Sequence, residues 1–209
     1  MLGVVDLGVS NIGSVMRAFQ RLGSDPVLVD GPASIAKAKG IVLPGVGAFR
    51  DGMAVLRERR LVEPMRDAAR GGKPVLGVCL GMQLLADRSE EYGDHEGLGL
   101  VSGKVVRLRA GVGERVPNIG WCDVTAGNCA RLFRGVPSET SFYFVHSYHV
   151  QCASPGPVAA SIRFGGASVT AALECGNVFG LQFHPEKSQD AGLAILENFL
   201  SVVEGASAP

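Results

Sequence analysis

The chain carries no excess of charge. Twenty lysines and arginines balance twenty aspartates and glutamates over 209 residues. That removes the general electrostatic footprint that binding to nucleic acid or an anionic membrane surface needs. No apolar run reaches the ~18–20 residues of a membrane-crossing helix. The first residues lack a basic segment followed by a signal-like apolar stretch, so the expected compartment is the cytosol, or an organelle after import. The five cysteines form no Cys-x-x-Cys pair and no Cys/His ligand spacing; this fits reduced thiols and excludes a disulfide framework or a structural zinc site. There is no internal repeat and no linker-like tract, so one domain over residues 1–209 is expected, with enough chain to bury a large core. The only local basic cluster, Arg57, Arg59 and Arg60, is interrupted by Glu58 and followed by Glu63, and reads as a solvated helix face. Glycine, by contrast, is abundant: 29 residues, about twice the usual ~7%, which implies many tight turns.

What is present in the first half is alternation of strand and helix. Residues 2–6 read as a short buried strand, followed by a turn at Gly8-Val9-Ser10-Asn11. Apolar residues at 12, 15, 16, 19 and 22 then mark one helical face that Gly23 stops. Residues 27–29 and 41–43 read as strands, and helices are expected around 53–56 and 61–70. This order predicts an α/β fold with a central, mostly parallel sheet flanked by helices on both faces. The second half is β-rich. Strands are expected at 104–108, 121–125, 141–145, 149–152, 167–173 and 178–183, with turns such as Gly127-Asn128 between them, and they should add antiparallel strands to the sheet. Residues 89–99 read as an acidic loop, with His95 a solvated residue in it. Residues 191–203 close the chain as a helix.

The most informative stretch is Gly77-Val78-Cys79-Leu80-Gly81-Met82-Gln83. An apolar strand at 75–78 meets helical spacing at Leu80, Leu84 and Leu85, with Cys79 at the junction between two glycines. This is the thiol version of the Gly-x-Ser-x-Gly nucleophile elbow, where glycines make room for a sharp strand-to-helix reversal. A sulfur raised to the first turn of a helix is poised for use as a thiolate in acyl transfer. Such a nucleophile needs a base. His184 is the strongest of His95, His146, His149 and His184, because Glu186 stands two residues on and, along an extended segment, would point the same way. Acyl transfer also needs N–H donors for the developing oxyanion, each worth ~3–4 kcal/mol. Pro44-Gly45-Val46-Gly47, at the carboxyl end of a neighbouring strand, and the backbone of Leu80 are the candidates. In parallel α/β sheets that edge is where ligands bind.

These motifs resemble the class I glutamine amidotransferases. The nucleophile motif is Gly77-Val78-Cys79-Leu80-Gly81-Met82-Gln83, and the base motif is Phe183-His184-Pro185-Glu186. Further segments, Leu43-Pro44-Gly45-Val46-Gly47-Ala48-Phe49, Tyr143-Phe144-Val145-His146-Ser147-Tyr148 and Pro185-Glu186-Lys187-Ser188, narrow the resemblance to the glutaminase subunits of imidazole glycerol phosphate synthase. It spans about residues 2–200. It implies a flavodoxin-like fold, L-glutamine as substrate, glutamate and ammonia as products, and no metal or organic cofactor. It implies a Cys79–His184–Glu186 triad, oxyanion donors at Val46, Gly47 and Leu80, and substrate contacts from Gly45, Gln83, Ser147 and Tyr148. It further implies a heterodimer with a (β/α)8-barrel cyclase subunit, with Asn11, Trp121, Tyr143 and Lys187 near the shared face. Two segments depart from the family's usual pattern. Pro117-Asn118-Ile119-Gly120-Trp121-Cys122 stands where Pro-His-Met-Gly-Trp-Asn is usual, and Asp6-Leu7-Gly8-Val9-Ser10-Asn11 where Asp-Tyr-Gly-x-Gly-Asn is common. A glutaminase serving another synthase, such as one that aminates a surface sugar, remains open. A thiol hydrolase of the dienelactone type would place the acid before the histidine, and a purely binding subunit would have no use for the triad.

Overall fold

The computed structural model describes residues 1–8, 11–127 and 130–205. Its elements run β1 (Leu2–Val5), α1 (Ile12–Arg21), β2 (Pro26–Val29), α2 (Pro32–Lys37), β3 (Gly40–Gly45), α3 (Phe49–Glu58), α4 (Val62–Arg70), β4 (Val75–Cys79) and α5 (Leu80–Leu84). There follow β5 (Ala86–Ser89), β6 (His95–Glu96), β7 (Val101–Arg107), β8 (Asn118–Ala126), β9 (Thr140–His146), β10 (Tyr148–Cys152), β11 (Val158–Phe164), β12 (Ala167–Cys175), β13 (Val178–Leu181) and α6 (Gln189–Glu204). Single 3₁₀ turns lie at Arg131–Phe133 and Pro185–Lys187.

A nine-stranded sheet has the order β2-β1-β3-β4-β13-β12-β11-β8-β9. Its first five strands are parallel and the remaining pairings antiparallel. The parallel strands inside the edge strand β2 are buried on both sides, so they read as short continuous apolar runs. One face packs Phe19 of α1, Phe199 of α6 and Phe142, Phe144, Phe179 and Phe183 into a single cluster. The Phe142 and Phe183 rings stack with centroids 4.2 Å apart. The other face packs Ile35 of α2, Phe49, Met53 and Leu56 of α3 and Met65 of α4. A second sheet, β10-β7-β5-β6, stands apart from the first.

The α/β plan and the antiparallel extension agree with expectation, but several elements differ. The helix α2, the strand β11 and the separate second sheet were not expected. α2 is only six residues long, and β11, which buries Ala160, Ile162 and Phe164, carries two alanines and a serine in its first half that blur its apolar alternation. The segment at 89–99, expected as loop, contains β6 and follows β5, and His95 is half-buried in β6, not solvated. Those strands are two to four residues long and charged, so only pairing, β5 with β7 and β6 with β5, reveals them. The turns expected at Gly8-Val9-Ser10-Asn11 and Gly127-Asn128 include positions 9, 10 and 128, which lie outside the described residues.

The register fixes where chemistry can occur. Gly45, the last residue of β3, pairs with Cys79, the last of β4. α5 starts at once from this edge and lies close against the sheet. A Cβ on Gly81 would fall inside the Leu43 carbonyl oxygen, and one on Gly77 would meet the Gly81 carbonyl. Gly81→Ala should therefore destabilise by roughly 3 kcal/mol or more, because backbone and not a flexible side chain must give way. Gly8→Ala, where φ is 77° and nothing lies within 4 Å, should cost only about 1–2 kcal/mol. Urea unfolding of the two variants checks the contrast; equal losses would mean that Gly81 is not a packing constraint.

Candidate active site

Cys79 ends β4 and begins α5 with φ 54° and ψ −110°. A side chain at positive φ is strained unless its surroundings hold it there; here the glycine contacts of α5 leave the chain no gentler path. The thiol is 6% exposed. Its Sγ lies 3.9 Å from the Val145 carbonyl oxygen, and the Gln182 Nε2 donates to it at 3.7 Å.

His184 follows β13, the parallel neighbour of β4, so the topology brings its ring to the same edge. It does not share an extended segment with Glu186, as expected from the sequence. Pro185 opens a 3₁₀ turn that folds Glu186 back onto the ring. The His184 Nδ1 and the Glu186 Oε1 are 2.9 Å apart. The turn is tied to β9 on both sides. The His184 N–H donates to the Tyr143 carbonyl at 2.9 Å, the Tyr143 N–H donates to the Ser188 Oγ at 3.0 Å, and the Ser188 hydroxyl donates to the His184 carbonyl at 2.7 Å. With Nδ1 committed to Glu186, Nε2 is the nitrogen left for the sulfur and for a leaving group; it is buried with no hydrogen-bond partner. Burial by itself would push the imidazole down, but the neighbouring Cys79 sulfur and Glu186 carboxylate outweigh it and raise His184 to about 9. A protonated ring beside a sulfur is the charge partner that a thiolate nucleophile uses.

A cavity of about 300 Å³ opens over the sulfur. Val46, Gly47 and Leu80, the expected oxyanion donors, line it together with Cys79. Gln83, Ser147 and Tyr148, expected to hold substrate, also line it. Both donors of the Gln83 amide are already used, on the Tyr148 carbonyl at 3.0 Å and the Gln182 Oε1 at 3.1 Å, which leaves Oε1 as its remaining polar atom. Gly45 is not on the wall. β3 continues through Pro44 to Gly45, which is packed against Leu7 and Leu80. His184 and Glu186 are also off the wall, buried beside the sulfur.

Three wall residues were given no site role by sequence reasoning, Glu91, Pro117 and Val145, and a fourth, His146, was weighed as the base and passed over for His184. Glu91 sits in the segment read as a loop. It is buried, with Oε2 accepting the Phe49 N–H at 2.6 Å and its own N–H donating to the Ser89 hydroxyl. An acid next to another acid, Glu90, gives no periodic signal that one of them turns inward. His146 donates from Nδ1 to the Tyr148 carbonyl at 2.8 Å, so its Nε2, 3.3 Å from the Asn118 Nδ2, is the acceptor. Burial lowers it to about 4, so it is neutral where His184 is charged. Asn118 in turn meets Cys122 at 3.6 Å, so two of the three departures in the 117–122 segment form one contact.

The residues expected at a shared face lie outside the cavity. Trp121 is 50% exposed and meets the Tyr143 ring edge-on at 6.0 Å, and Lys187 Nζ stands 5.8 Å from the Tyr143 ring centre. Trp121 and Tyr143 are register partners on β8 and β9. Asn11 is exposed at the start of α1, where its carbonyl accepts the Ser14 N–H. Among the described residues, no three His, Cys, Asp or Glu side chains cluster as metal ligands.

Comparison with known proteins follows from this geometry. The family model for class-I glutamine amidotransferases matches residues 3–203. The imidazole glycerol phosphate synthase subunit HisH of Desulfitobacterium hafniense (strain DSM 10664 / DCB-2) is 45% identical over 199 residues, covering 95% of this chain and 93% of that protein. The protein of the same name from Moorella thermoacetica is 44% identical over 205 residues, covering 98% and 96%. A crystal structure of a glutamine amidotransferase superimposes with a TM-score of 0.76 at 21% identity, over 97% of this chain and 98% of that one, and so shares the fold.

The two histidines should set opposite limbs of the stability profile. His184, raised to about 9 from an ordinary 6.5, keeps its proton in the folded chain after the unfolded chain has lost it. Its contribution is thus complete below about 6.5 and disappears as pH rises through about 9. His146, lowered to about 4 from 6.5, is a cost as pH falls from about 6.5 towards 4, because the unfolded chain takes up a proton that the fold refuses. Urea unfolding across pH 4–10 should peak near neutrality. His184→Gln should flatten the alkaline limb and His146→Gln the acid limb; an unchanged limb would contradict the corresponding environment.

Proposed function

Because the chain belongs to the class I glutamine amidotransferases, we propose that it is the glutaminase subunit of an imidazole glycerol phosphate synthase in histidine biosynthesis. The observation that carries the reading is the meeting, at one sheet edge, of a buried sulfur, an imidazole raised to about 9 with its carboxylate 2.9 Å behind it, and a cavity over them.

In this reading the Cys79 thiolate attacks the side-chain amide carbon of L-glutamine. The oxygen becomes an oxyanion facing the backbone of Val46, Gly47 and Leu80. The C–N bond breaks as His184 passes its proton to the departing nitrogen, releasing ammonia and leaving a γ-glutamyl thioester on the sulfur. Water then adds to the thioester with His184 taking its proton. The C–S bond breaks, the electron pair returns to sulfur, and glutamate leaves. Glu186 holds the ring's Nδ1 and supports its positive state. Glu91 is the acidic side chain of the cavity wall, and its carboxylate suits the α-ammonium of the substrate, with Gln83, Ser147 and Tyr148 around the amino-acid end. The whole chain acts as one glutamine amidotransferase domain.

Ammonia in neutral water is mostly ammonium and a poor nucleophile, so it has to reach its acceptor without passing through solvent. We therefore place the chain in a cytoplasmic heterodimer with a (β/α)8-barrel cyclase subunit, which receives ammonia through a channel and makes imidazole glycerol phosphate and AICAR, a lyase step. The exposed Trp121, with Tyr143 and Lys187 beside it and Asn11 at the start of α1, supports a docking face there. The fold has no helix long and apolar enough to cross a membrane among the described residues.

Cys79→Ala should abolish glutamine-dependent synthesis by the complex and leave synthesis from added ammonium salts intact; loss of both together would contradict the division of labour. Glu186→Gln should retain partial activity, down roughly 10²–10⁴-fold in kcat, because the base stays and its orienter is weakened. Trp121→Ala should weaken association with the cyclase by about tenfold or more, read by titration calorimetry, while leaving the melting temperature near wild type; unchanged affinity would move the docking face elsewhere.

A further inference from the structure

The mechanism leaves one buried group beside the sulfur unused. Gln182 follows β13, is fully buried, and anchors its backbone N–H on the Ala171 carbonyl at 2.8 Å. A buried amide is costly unless each polar atom finds a partner. Its two ends are not interchangeable here. The Gln83 side chain faces the Tyr148 carbonyl oxygen at 3.0 Å, so a nitrogen must sit at that end of Gln83. That nitrogen's other proton points at Gln182, 3.1 Å away, so Gln182 presents its oxygen to Gln83. The end of Gln182 that reaches Cys79 Sγ at 3.7 Å is therefore the NH₂. The donations run outward from Gln83: it donates both to the Tyr148 carbonyl and to Gln182, and Gln182 donates to sulfur.

We propose that Gln182 is a built-in donor to the nucleophilic sulfur, holding it in place and favouring its anionic state independently of His184. A neutral thiol accepts a hydrogen bond weakly and a thiolate strongly, and the difference grows where water is excluded. The donor acts twice in the cycle: on the thiolate that attacks the amide carbon, and on the thiolate that departs when the thioester C–S bond breaks and sulfur takes back the electron pair. Because Gln182 carries no titrating proton, its donation persists when His184 has passed its own proton to ammonia. Gln83 also donates to the carbonyl of Tyr148, a wall residue of the cavity, so the sulfur is tied to the segment that would hold substrate. The proposal rests on the glutaminase reading.

Gln182→Met keeps length and burial and removes the donor. In the full chain, alkylation of Cys79 by iodoacetamide, followed by mass spectrometry of its peptide, should slow about tenfold at pH 7. The rate is followed from pH 6 to pH 10 in both chains. In the complex with the cyclase, kcat for glutamine should fall by a similar factor, with KM changed less than about twofold. An alkylation profile identical to wild type, or a rise in KM alone, would overturn the proposal. Should the Met variant fail to fold, the wild-type chain decides. Its Gln182 side-chain NH₂ resonances should shift with the ionisation of Cys79 and change in Cys79→Ala, and resonances indifferent to both would overturn it equally. A wild-type complex that releases no glutamate from glutamine would instead sink the underlying function. Turnover by wild type together with an unaltered Met variant would sink only the role of Gln182.

Discussion

The contact that the site depends on is between two backbones: Gly81 lies against the carbonyl of Leu43 with no room for a side-chain carbon. Because α5 sits this close to β3, the chain must leave β4 within one residue, and that residue is Cys79 at φ 54°. The same closeness puts the start of α5 beside the glycine turn after β3, so that Val46, Gly47, Leu80 and the sulfur share one wall. The strain at Cys79 is of the order of ~1–3 kcal/mol. It is offset by packing that is insensitive to what the sulfur does, which is how a reactive side chain can be held ready without substrate.

Around this fixed sulfur, environment holds two histidines in opposite charge states. His184 has a carboxylate at one nitrogen and the thiol at the other, and is held charged. His146 has a carbonyl at one nitrogen and an amide at the other, in a setting too dry to carry charge, and is held neutral. Pairs of titratable groups pushed in opposite directions are how a site assigns acid–base roles. Here only one of the two rings can give a proton to a leaving group at neutral pH. The other serves as a rigid strut between β8 and the Tyr148 segment.

The antiparallel half of the sheet links chemistry to surface. β9 is the last strand, and its outer backbone groups at Tyr143 are taken by the turn that bears His184 and Glu186. The same Tyr143 presents its ring beside Trp121 and Lys187 on the outside. One residue thus holds the catalytic turn through its main chain and faces the proposed partner through its side chain. A partner that pressed on this ring would be one backbone hydrogen bond away from the base.

Much of this was legible in residue order alone. The parallel strands are short apolar runs bounded by glycine and proline, and a cysteine between two glycines at a strand-to-helix junction has few structural reasons to exist. Those are local patterns, and local patterns survive without a fold. Tertiary structure alone decided the rest. That Glu186 reaches His184 by a 3₁₀ turn and not along a strand, that Gly45 is packed against Leu7 and Leu80 off the cavity wall, and that Glu91 turns in from a charged stretch all follow from contacts that residue order does not record. That His146 is held neutral while His184 is held charged belongs to the same class. A side chain's pKa is set by what surrounds it in space, and spacing along the sequence carries no record of that.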